Sequence, residues 1–144
     1  MEQSEKITID PKIVKFIKKN HVAALAVQND NSIWCFNCFY TFYNDDPHII
    51  FLSQANTLHA KLMSQNPHVS GTISAQTKTI AAIQGIQFTG LAVYSQDDRL
   101  RAVYNKRFPF AAVIEAEMWT VRLDKIKYTS SIITFGSKIY WERQ

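Results

Sequence analysis

The chain has 144 residues, of which 47% are hydrophobic and 19% are charged, and its formal net charge at pH 7 is +4. This length and composition fit one globular domain over residues 1–144 and argue against disorder. The longest apolar runs, such as Val22 to Val27, fall far short of the roughly 20 residues that span a bilayer, and the start MEQSEKITID lacks the apolar core of a signal peptide. We therefore expect a cytoplasmic protein without a membrane segment.

The positive charge would suit an anionic partner such as nucleic acid, but its distribution favours a simpler origin. Lys12, Lys15, Lys18 and Lys19 all fall around one short predicted helix, where they form a solvated face. No nucleic-acid-binding motif accompanies them. Binding of nucleic acid is therefore the weakest of the functions considered.

The first half of the chain predicts two short helices and three strands. Asp10 can cap a helix that has Pro11 at its first position, and apolar residues recur at helical spacing over about residues 11–20. A second helix is predicted from about Thr57 to Gln65. Three apolar stretches, separated by turns rich in Asn and Asp, predict antiparallel strands: HVAALAV, IWCFNCFYTFY and HIIFLS.

The second half predicts further strands around a third helix. HVSGTISA and IAAIQGIQFTGLAVY read as strands, with Gly85 and Gly90 marking bulges or close backbone approaches. Asp97 or Asp98 can cap the third helix, which Pro109 limits. MWTVRLDKIKY alternates as a strand, and IITFGSKIYW predicts a last strand pair. The whole pattern predicts a mainly β, α+β fold: a small antiparallel barrel with peripheral helices.

The two cysteines form a single C-x-x-C motif within the second predicted strand. Cys35 and Cys38 are three positions apart, so on a strand their side chains point to opposite faces. They could not jointly hold a metal or form an unstrained disulfide. A redox or zinc role is therefore disfavoured.

A polar cluster is predicted where the third strand meets the second helix. In FLSQANTLHAKLM, the residues Ser53, Thr57 and His59 surround the predicted helix start. Free N–H groups and the positive end of the dipole at a helix start attract phosphate, and hydroxyls add hydrogen bonds. The alternative is that Thr57 only caps the helix and His59 is an exposed first-turn residue.

The order of elements resembles the flavin-binding split barrels related to pyridoxamine 5'-phosphate oxidase and is more closely similar to the bacterial YhbP-like family. Three stretches carry the resemblance: IWCFNCFYTF, FLSQANTLHAKLM, and TKTIAAIQGIQFTGLAV followed by YNKRFPFA. Together they cover most of residues 21–128. The resemblance implies an antiparallel split β-barrel, a homodimer with cofactor sites shared between its chains, and FMN as the cofactor.

The resemblance also implies where the FMN phosphate lies. In the oxidases a Thr at a strand end, a Ser four residues later and a basic residue six later help to hold the phosphate. Ser53, Thr57 and His59 stand at these spacings. His59 departs from the pattern, because the oxidases usually have Lys or Arg there and a histidine is mostly neutral at pH 7.

Five further residues are candidates for cofactor contacts, each with an ordinary alternative. Lys78 would be a second cation for the phosphate, or a loop lysine. Asn37 and Gln87 would hydrogen-bond the edge of a flavin ring, or face solvent by strand alternation. Lys106 and Arg107 stand in a segment similar to the K-Y-P or R-P turn of split barrels, close to the dimer interface, or end a helix at its negative pole.

The leading hypothesis is a homodimeric FMN-binding protein, an oxidoreductase of unknown substrate. No hydrolase or kinase motif is found, so any catalysis has to come from a cofactor. The vitamin B6 chemistry of the oxidases is not expected, because their arginine and histidine set is missing near the C-terminal YWERQ. The alternative is a non-catalytic module that binds haem, flavin or another anionic small molecule. His21, His48 and His68 lack ligand spacing, so no metal is predicted.

Overall fold

The computed structural model describes residues 8–131 and 137–144, and within these ranges the chain forms three α-helices and seven β-strands. None of the described helices has the length and apolar character needed to cross a membrane. Two single 3-10 turns lie at Ile80–Ala82 and Pro109–Val113. The helices are α1 (Pro11–Lys19), α2 (Leu58–Gln65) and α3 (Asp98–Arg107). The strands are β1 (Val22–Gln28), β2 (Ile33–Tyr43), β3 (His48–Ser53), β4 (His68–Ser74), β5 (Gln84–Ser95), β6 (Glu117–Ser130) and β7 (Ser137–Glu142).

Local sequence explains where the first and third helices begin. The carboxylate of Asp10 accepts a hydrogen bond from the backbone N–H of Lys12 at 2.8 Å. Asp97, rather than Asp98, caps α3 and accepts from the N–H of Arg99 at 2.9 Å. Each bond satisfies one of the N–H groups that a helix start leaves unpaired. Helix α1 then packs on the barrel through its buried residues Ile13, Phe16 and Ile17.

The strands form an antiparallel barrel. They are ordered β3-β2-β1-β4-β5-β6-β7, and β3 also pairs with β6, which closes six strands and leaves β7 outside. This arrangement confirms the predicted antiparallel split barrel with peripheral helices. Of the strand pair predicted in IITFGSKIYW, residues 137–142 form β7 against β6, and residues 132–136 lie outside the described residues.

Strand β6 joins the barrel to β7 because it changes partner along one edge. Its first half, Glu117–Arg122, pairs with β3, and its second half, Lys125–Ser130, pairs with β7. Between the two halves the register with β5 shifts at Gly90, so that Asp124 has no partner on β5, as expected for a β-bulge. We name this point, where β3 and β7 diverge from β6, the fork.

Arg143, which follows β7, fills the fork. Its side chain is only 7% exposed. The guanidinium donates to the carbonyl oxygens of Leu123 at 2.8 Å and Pro47 at 3.1 Å and to the carboxylate of Asp46 at 2.7 Å. A guanidinium has donors only, so one side chain satisfies acceptors on both sides of the split in the sheet.

Two hydrophobic cores stabilise the fold. The main core fills the barrel, where alternate residues of each strand point inward, and includes Leu25, Ile49 and Leu123. The smaller core lies outside the barrel under α3, where Leu100, Val103 and Tyr104 pack as the sequence predicts, against Ile50 and Met118. This second core fixes α3 beside the ends of β2 and β3, next to the candidate site.

We predict that Gly90→Ala destabilises the fold far more than Gly85→Ala. A Cβ at Gly90 would lie 2.3 Å from the carbonyl oxygen of Arg122, whereas at Gly85 the nearest atom is the carbonyl oxygen of Ile73 at 3.2 Å. The backbone at the fork is paired on both sides and cannot shift to relieve the clash. We therefore expect Gly90→Ala to lower the free energy of unfolding by roughly 3 kcal/mol, and Gly85→Ala by less than about 1 kcal/mol. Urea denaturation measures both. Equal losses would contradict the close approach.

Candidate functional site

The three polar residues predicted around the start of α2 lie in contact. Ser53 ends β3, Thr57 caps α2 and His59 stands in its first turn. The Ser53 hydroxyl lies 2.7 Å from Nε2 of His59 and 3.3 Å from the hydroxyl of Thr57. Thr57 also accepts from the backbone N–H of Ala60 at 3.2 Å. Thr57 is therefore the helix cap, and its hydroxyl belongs to the polar cluster as well.

The backbone carbonyl of Gln54 is a second acceptor for the same hydroxyls. Thr57 donates to this oxygen at 2.9 Å, and Ser53 lies 3.3 Å from it. An anion that bound here would exchange these neutral internal bonds for charge-assisted ones, which are roughly twice as strong as neutral bonds. The cluster can thus turn its donors outward by small hydroxyl rotations.

His59 is held as a neutral ring. It stacks on Phe36 with ring centroids 3.8 Å apart and an angle of 8° between the planes. Burial lowers the pKa of His59 from its ordinary value of 6.5 because desolvation disfavours the imidazolium. The unfolded chain therefore binds this proton more readily, and the contribution of neutral His59 to stability is present above pH 6.5 and lost as pH falls. At neutral pH the cluster offers hydrogen bonds rather than a full positive charge.

The cluster lines one end of a groove of about 550 Å³. The remaining wall is mostly apolar and aromatic, and Phe39 packs edge-on against Phe108 at 5.8 Å between centroids. Phe39 and Phe110 are 59% and 80% exposed, so large apolar surface faces the groove opening. Volumes of 300–1,000 Å³ with a few polar groups are typical of small-molecule sites. This groove is the candidate functional site.

One wall of the groove, residues 109–116, is fixed by two side chains that sequence reasoning missed. Arg101 of α3 donates to the carbonyl oxygens of Ala111 at 3.1 Å, Ile114 at 3.2 Å and Ala116 at 3.3 Å. The amide of Gln54 donates to the carbonyl oxygen of Glu115 at 3.1 Å. The acceptors are all backbone atoms, so no side-chain pattern in the sequence marks these contacts.

Asn37 and Gln87 lie on the same outer face of the sheet but not in one site. Asn37 pairs with Ala24, Ala24 with Thr72, and Thr72 with Gln87, so two strands separate the candidates. At the usual strand spacing this amounts to about 14 Å. Asn37 lines the groove, whereas Gln87 lines a separate depression of about 720 Å³ on the outer face.

The predicted cationic residues do not line the groove. Lys78 is exposed in the loop after β4, and Lys106 is exposed at the end of α3. The guanidinium of Arg107 donates to the carbonyl oxygens of Tyr40 at 3.0 Å and Lys18 at 3.1 Å, and also to that of Asn20. In the described part of the chain no lysine or arginine lines the groove, and the cofactor contacts of these three residues stay predictions.

The cysteines lie on opposite faces of β2, as their spacing predicts. Cys35 is exposed, Cys38 is buried, and neither forms a disulfide. Cys38 lines the groove, and burial raises the pKa of its thiol to about 12, so it is not a reactive thiolate. Over residues 8–131 and 137–144, no group of three His, Cys, Asp or Glu residues is arranged to hold a metal ion.

The fold of the chain is shared with solved proteins of low sequence identity. A haem-binding protein from Mycobacterium smegmatis matches with a TM-score of 0.71 and 15% identity, over 94% of this chain and 60% of that one. An FAD-binding protein from Mesorhizobium loti matches with a TM-score of 0.67 and 14% identity, over 83% and 92% of the two chains. HutZ, the haem storage protein from Vibrio cholerae, matches with a TM-score of 0.67 and 15% identity, over 82% and 92%. These matches show that the chain shares its fold with solved proteins.

Sequence comparison places the chain among closer relatives, although no family model matches it. A UPF0306 protein from Serratia proteamaculans is 40% identical over 134 residues, covering 91% of this chain and 93% of the relative. The UPF0306 protein from Cronobacter sakazakii is 38% identical over 91% and 93% of the two chains. The UPF0306 protein YhbP from Escherichia coli O127:H6 is 36% identical over 91% and 96%. At this identity over nearly the whole length, the chain belongs to the UPF0306 family, which includes the YhbP proteins.

Proposed function

We propose that this chain binds FMN in the groove, with the phosphate at the start of α2 and the ring system along the apolar wall. The observation that carries the proposal is the contact between Ser53, Thr57 and His59 in a groove whose other lining residues are mostly apolar or aromatic. An elongated ligand with one anionic end and one flat apolar end matches this division of polarity.

The start of α2 supplies the donors for a phosphate. The first-turn N–H groups of a helix have no intrahelical partners and lie at the positive end of the dipole. The hydroxyls of Ser53 and Thr57 add two more donors beside them. When bound, FMN would supply the electron and hydride transfer of an oxidoreductase, and the protein would anchor and orient it.

The alternative function is a non-catalytic haem- or flavin-binding module. It is supported by the neutral state of His59 and by the lack of a described lysine or arginine along the groove, both of which weaken the case for a phosphate site. Two of the similar folds are described as binding or storing haem, and a third as binding FAD. A Soret band on adding haem, with no flavin binding, would favour this module over the FMN site.

The experiment that tests the FMN site compares FMN with riboflavin, since only FMN carries the phosphate. Thr57→Ala should weaken FMN by about tenfold and riboflavin much less, because one hydrogen bond to a charged group is lost. Thr57→Asp keeps a good helix cap but repels phosphate, so it should weaken FMN further without the loss of helix stability. Thr79→Ala, at an exposed loop threonine, is the control. Flavin fluorescence titrations measure both ligands.

If both Thr57 variants lose affinity equally for FMN and for riboflavin, the preference for FMN is unchanged. That result would contradict a phosphate at this helix start. In that case Thr57 acts only as a cap. Absence of flavin binding by the wild-type protein would reject the flavin proposal as a whole.

His59 should make FMN affinity depend on pH. Its pKa lies below 6.5, so protonation adds a charge-assisted bond to phosphate only as pH falls through this lowered range. We expect His59→Lys to bind FMN roughly tenfold more tightly than wild type at pH 8, with the difference shrinking toward pH 5.5.

The comparison has to be made at each pH, because the second ionisation of the phosphate, near pH 6, weakens FMN binding to both proteins at the acid end. His59→Gln, which is neutral throughout, is the control and should lose affinity relative to wild type only at low pH. A ratio between wild type and His59→Lys that does not change with pH would show that His59 does not contact the phosphate.

We also propose that the chain is a homodimer whose second copy packs on the outer face of the sheet. This face carries the depression of about 720 Å³, which is mostly apolar and lined by small residues such as Ala24, Ala26 and Thr72. Gln87 lies on this face and outside the groove, so in the proposed dimer it would contact a cofactor held by the partner chain. A shared cofactor site of this kind is what the split-barrel resemblance implies.

Sedimentation at micromolar concentration tests the dimer. The wild-type protein should sediment at twice the mass of the chain, and Thr72→Arg, which places a charge on the outer face near Lys127, should shift it toward the monomer. Thr77→Arg, in an exposed loop, is the control and should remain a dimer. A wild-type monomer that binds flavin would reject the shared site and retain the FMN proposal.

A further inference from the structure

A second, polar pocket lies directly beside the groove. It has a volume of about 400 Å³ and opens on the outer face at the start of β1 and the end of β4. Asn37 lines both the groove and this pocket, so a molecule could extend from one to the other past a single side chain. The polar residues that line the pocket are Asn20, His21, Asn37, Thr72, Ser74 and Gln76.

The ring of His21 is fixed in one tautomer. Nη2 of Arg107 lies 2.6 Å from Nδ1 of His21. Nη2 shares its two hydrogens among the carbonyl oxygens of Lys18 and Asn20 and Nδ1 of His21. An arginine has donors and no acceptor, so Nδ1 accepts in this contact and the proton of the neutral ring lies on Nε2. An exposed histidine would otherwise exchange freely between its two tautomers. The contact turns His21 into a hydrogen-bond donor at the edge of the pocket.

Arg107 is itself positioned by several further contacts. Its guanidinium also binds the carbonyl oxygens of Lys18, Asn20 and Tyr40, and it lies over the ring of Tyr40 at 5.3 Å. These contacts join α1, β2 and α3, so the position of the guanidinium is set by the fold. Arg107 is thus a positioning residue for His21.

The pocket offers donors without negative charge. Nε2–H of His21, the amides of Asn37 and Gln76 and the hydroxyls of Thr72 and Ser74 can all donate. Among the described residues no carboxylate lines the pocket. Such a lining can satisfy oxygen acceptors and offers no negatively charged partner for a cation.

We propose that this pocket binds the carboxylate end of a small organic molecule whose remaining part lies in the groove against the flavin. The inference rests on the proposed FMN site, because it makes the pocket the place where a second ligand meets the bound cofactor. It names a class of ligand, planar organic carboxylates, and assigns Nε2–H of His21 as the donor that recognises them.

Benzoate is the probe, and benzylamine, of similar size and opposite charge, is its counterpart. In the FMN-loaded protein benzoate should perturb the flavin absorption saturably, and benzylamine should not. His21→Leu should weaken benzoate at least about tenfold, the loss expected for one hydrogen bond to a charged group. His68→Leu, at an exposed histidine that does not line the pocket, is the matched control and should bind benzoate as wild type does.

NMR of the cofactor-free protein separates this inference from the FMN proposal. The ¹⁵N signals of His21 should report a proton on Nε2, and benzoate should shift the side-chain amides of Asn37 and Gln76. These shifts would support the pocket even if FMN failed to bind. A proton on Nδ1, equal benzoate affinity in wild type and His21→Leu, or no response to benzoate in either form of the protein would overturn the inference.

Discussion

The structure depends on one constraint: strand β6 must pair with β3 and then with β7 along the same edge. Two strands cannot occupy one edge at one point, so the sheet has to split. Arg143 lies at the fork and donates to the carbonyl oxygens of Leu123 and Pro47, and the bulge at Asp124 lets β6 turn away. The pairing of β3 with β6 also sets the position of the candidate site. It holds Ser53, the last residue of β3, opposite Glu117, the first residue of β6.

The position of Ser53 in turn brings together segments that are distant in sequence. Four residues separate the end of β3 from the start of α2, and the turn at Pro109–Val113 leads into β6. Pairing of β3 with β6 therefore places the start of α2 beside the wall formed by residues 109–116, and Gln54 joins the two by its bond to Glu115. The groove is the space that remains between a helix start and a turn that the barrel holds side by side.

Three of the sixteen basic residues have structural roles. Arg101, Arg107 and Arg143 each bind two or more backbone carbonyl oxygens, at the groove wall, at the end of α1 and at the fork. A guanidinium suits this role because its planar donors reach several acceptors at once. The charged groups of these three arginines bind backbone oxygens, and the polar residues of the groove are uncharged. Net charge is accordingly a poor guide to the ligand of this protein.

The sequence by itself determined the features that depend on neighbours along the chain. Alternation gave the strands and placed Cys35 and Cys38 on opposite faces, and the caps at Asp10 and Asp97 follow from two-residue contacts. The cluster of Ser53, Thr57 and His59 was predictable because a strand end, a short turn and a first helical turn bring such spacings together locally.

Tertiary structure alone decided the rest. Arg107 meets His21 across 86 positions and Arg143 meets Asp46 across 97, and no periodicity links residues so far apart. Asn37 and Gln87 look alike in the sequence, yet two intervening strands separate them, because strand order depends on which edges pair. Side-chain patterns indicate which residues of a strand point to which face of the sheet. Strand pairing, however, is made by backbone groups that every residue carries. The sequence therefore does not indicate which distant residues meet.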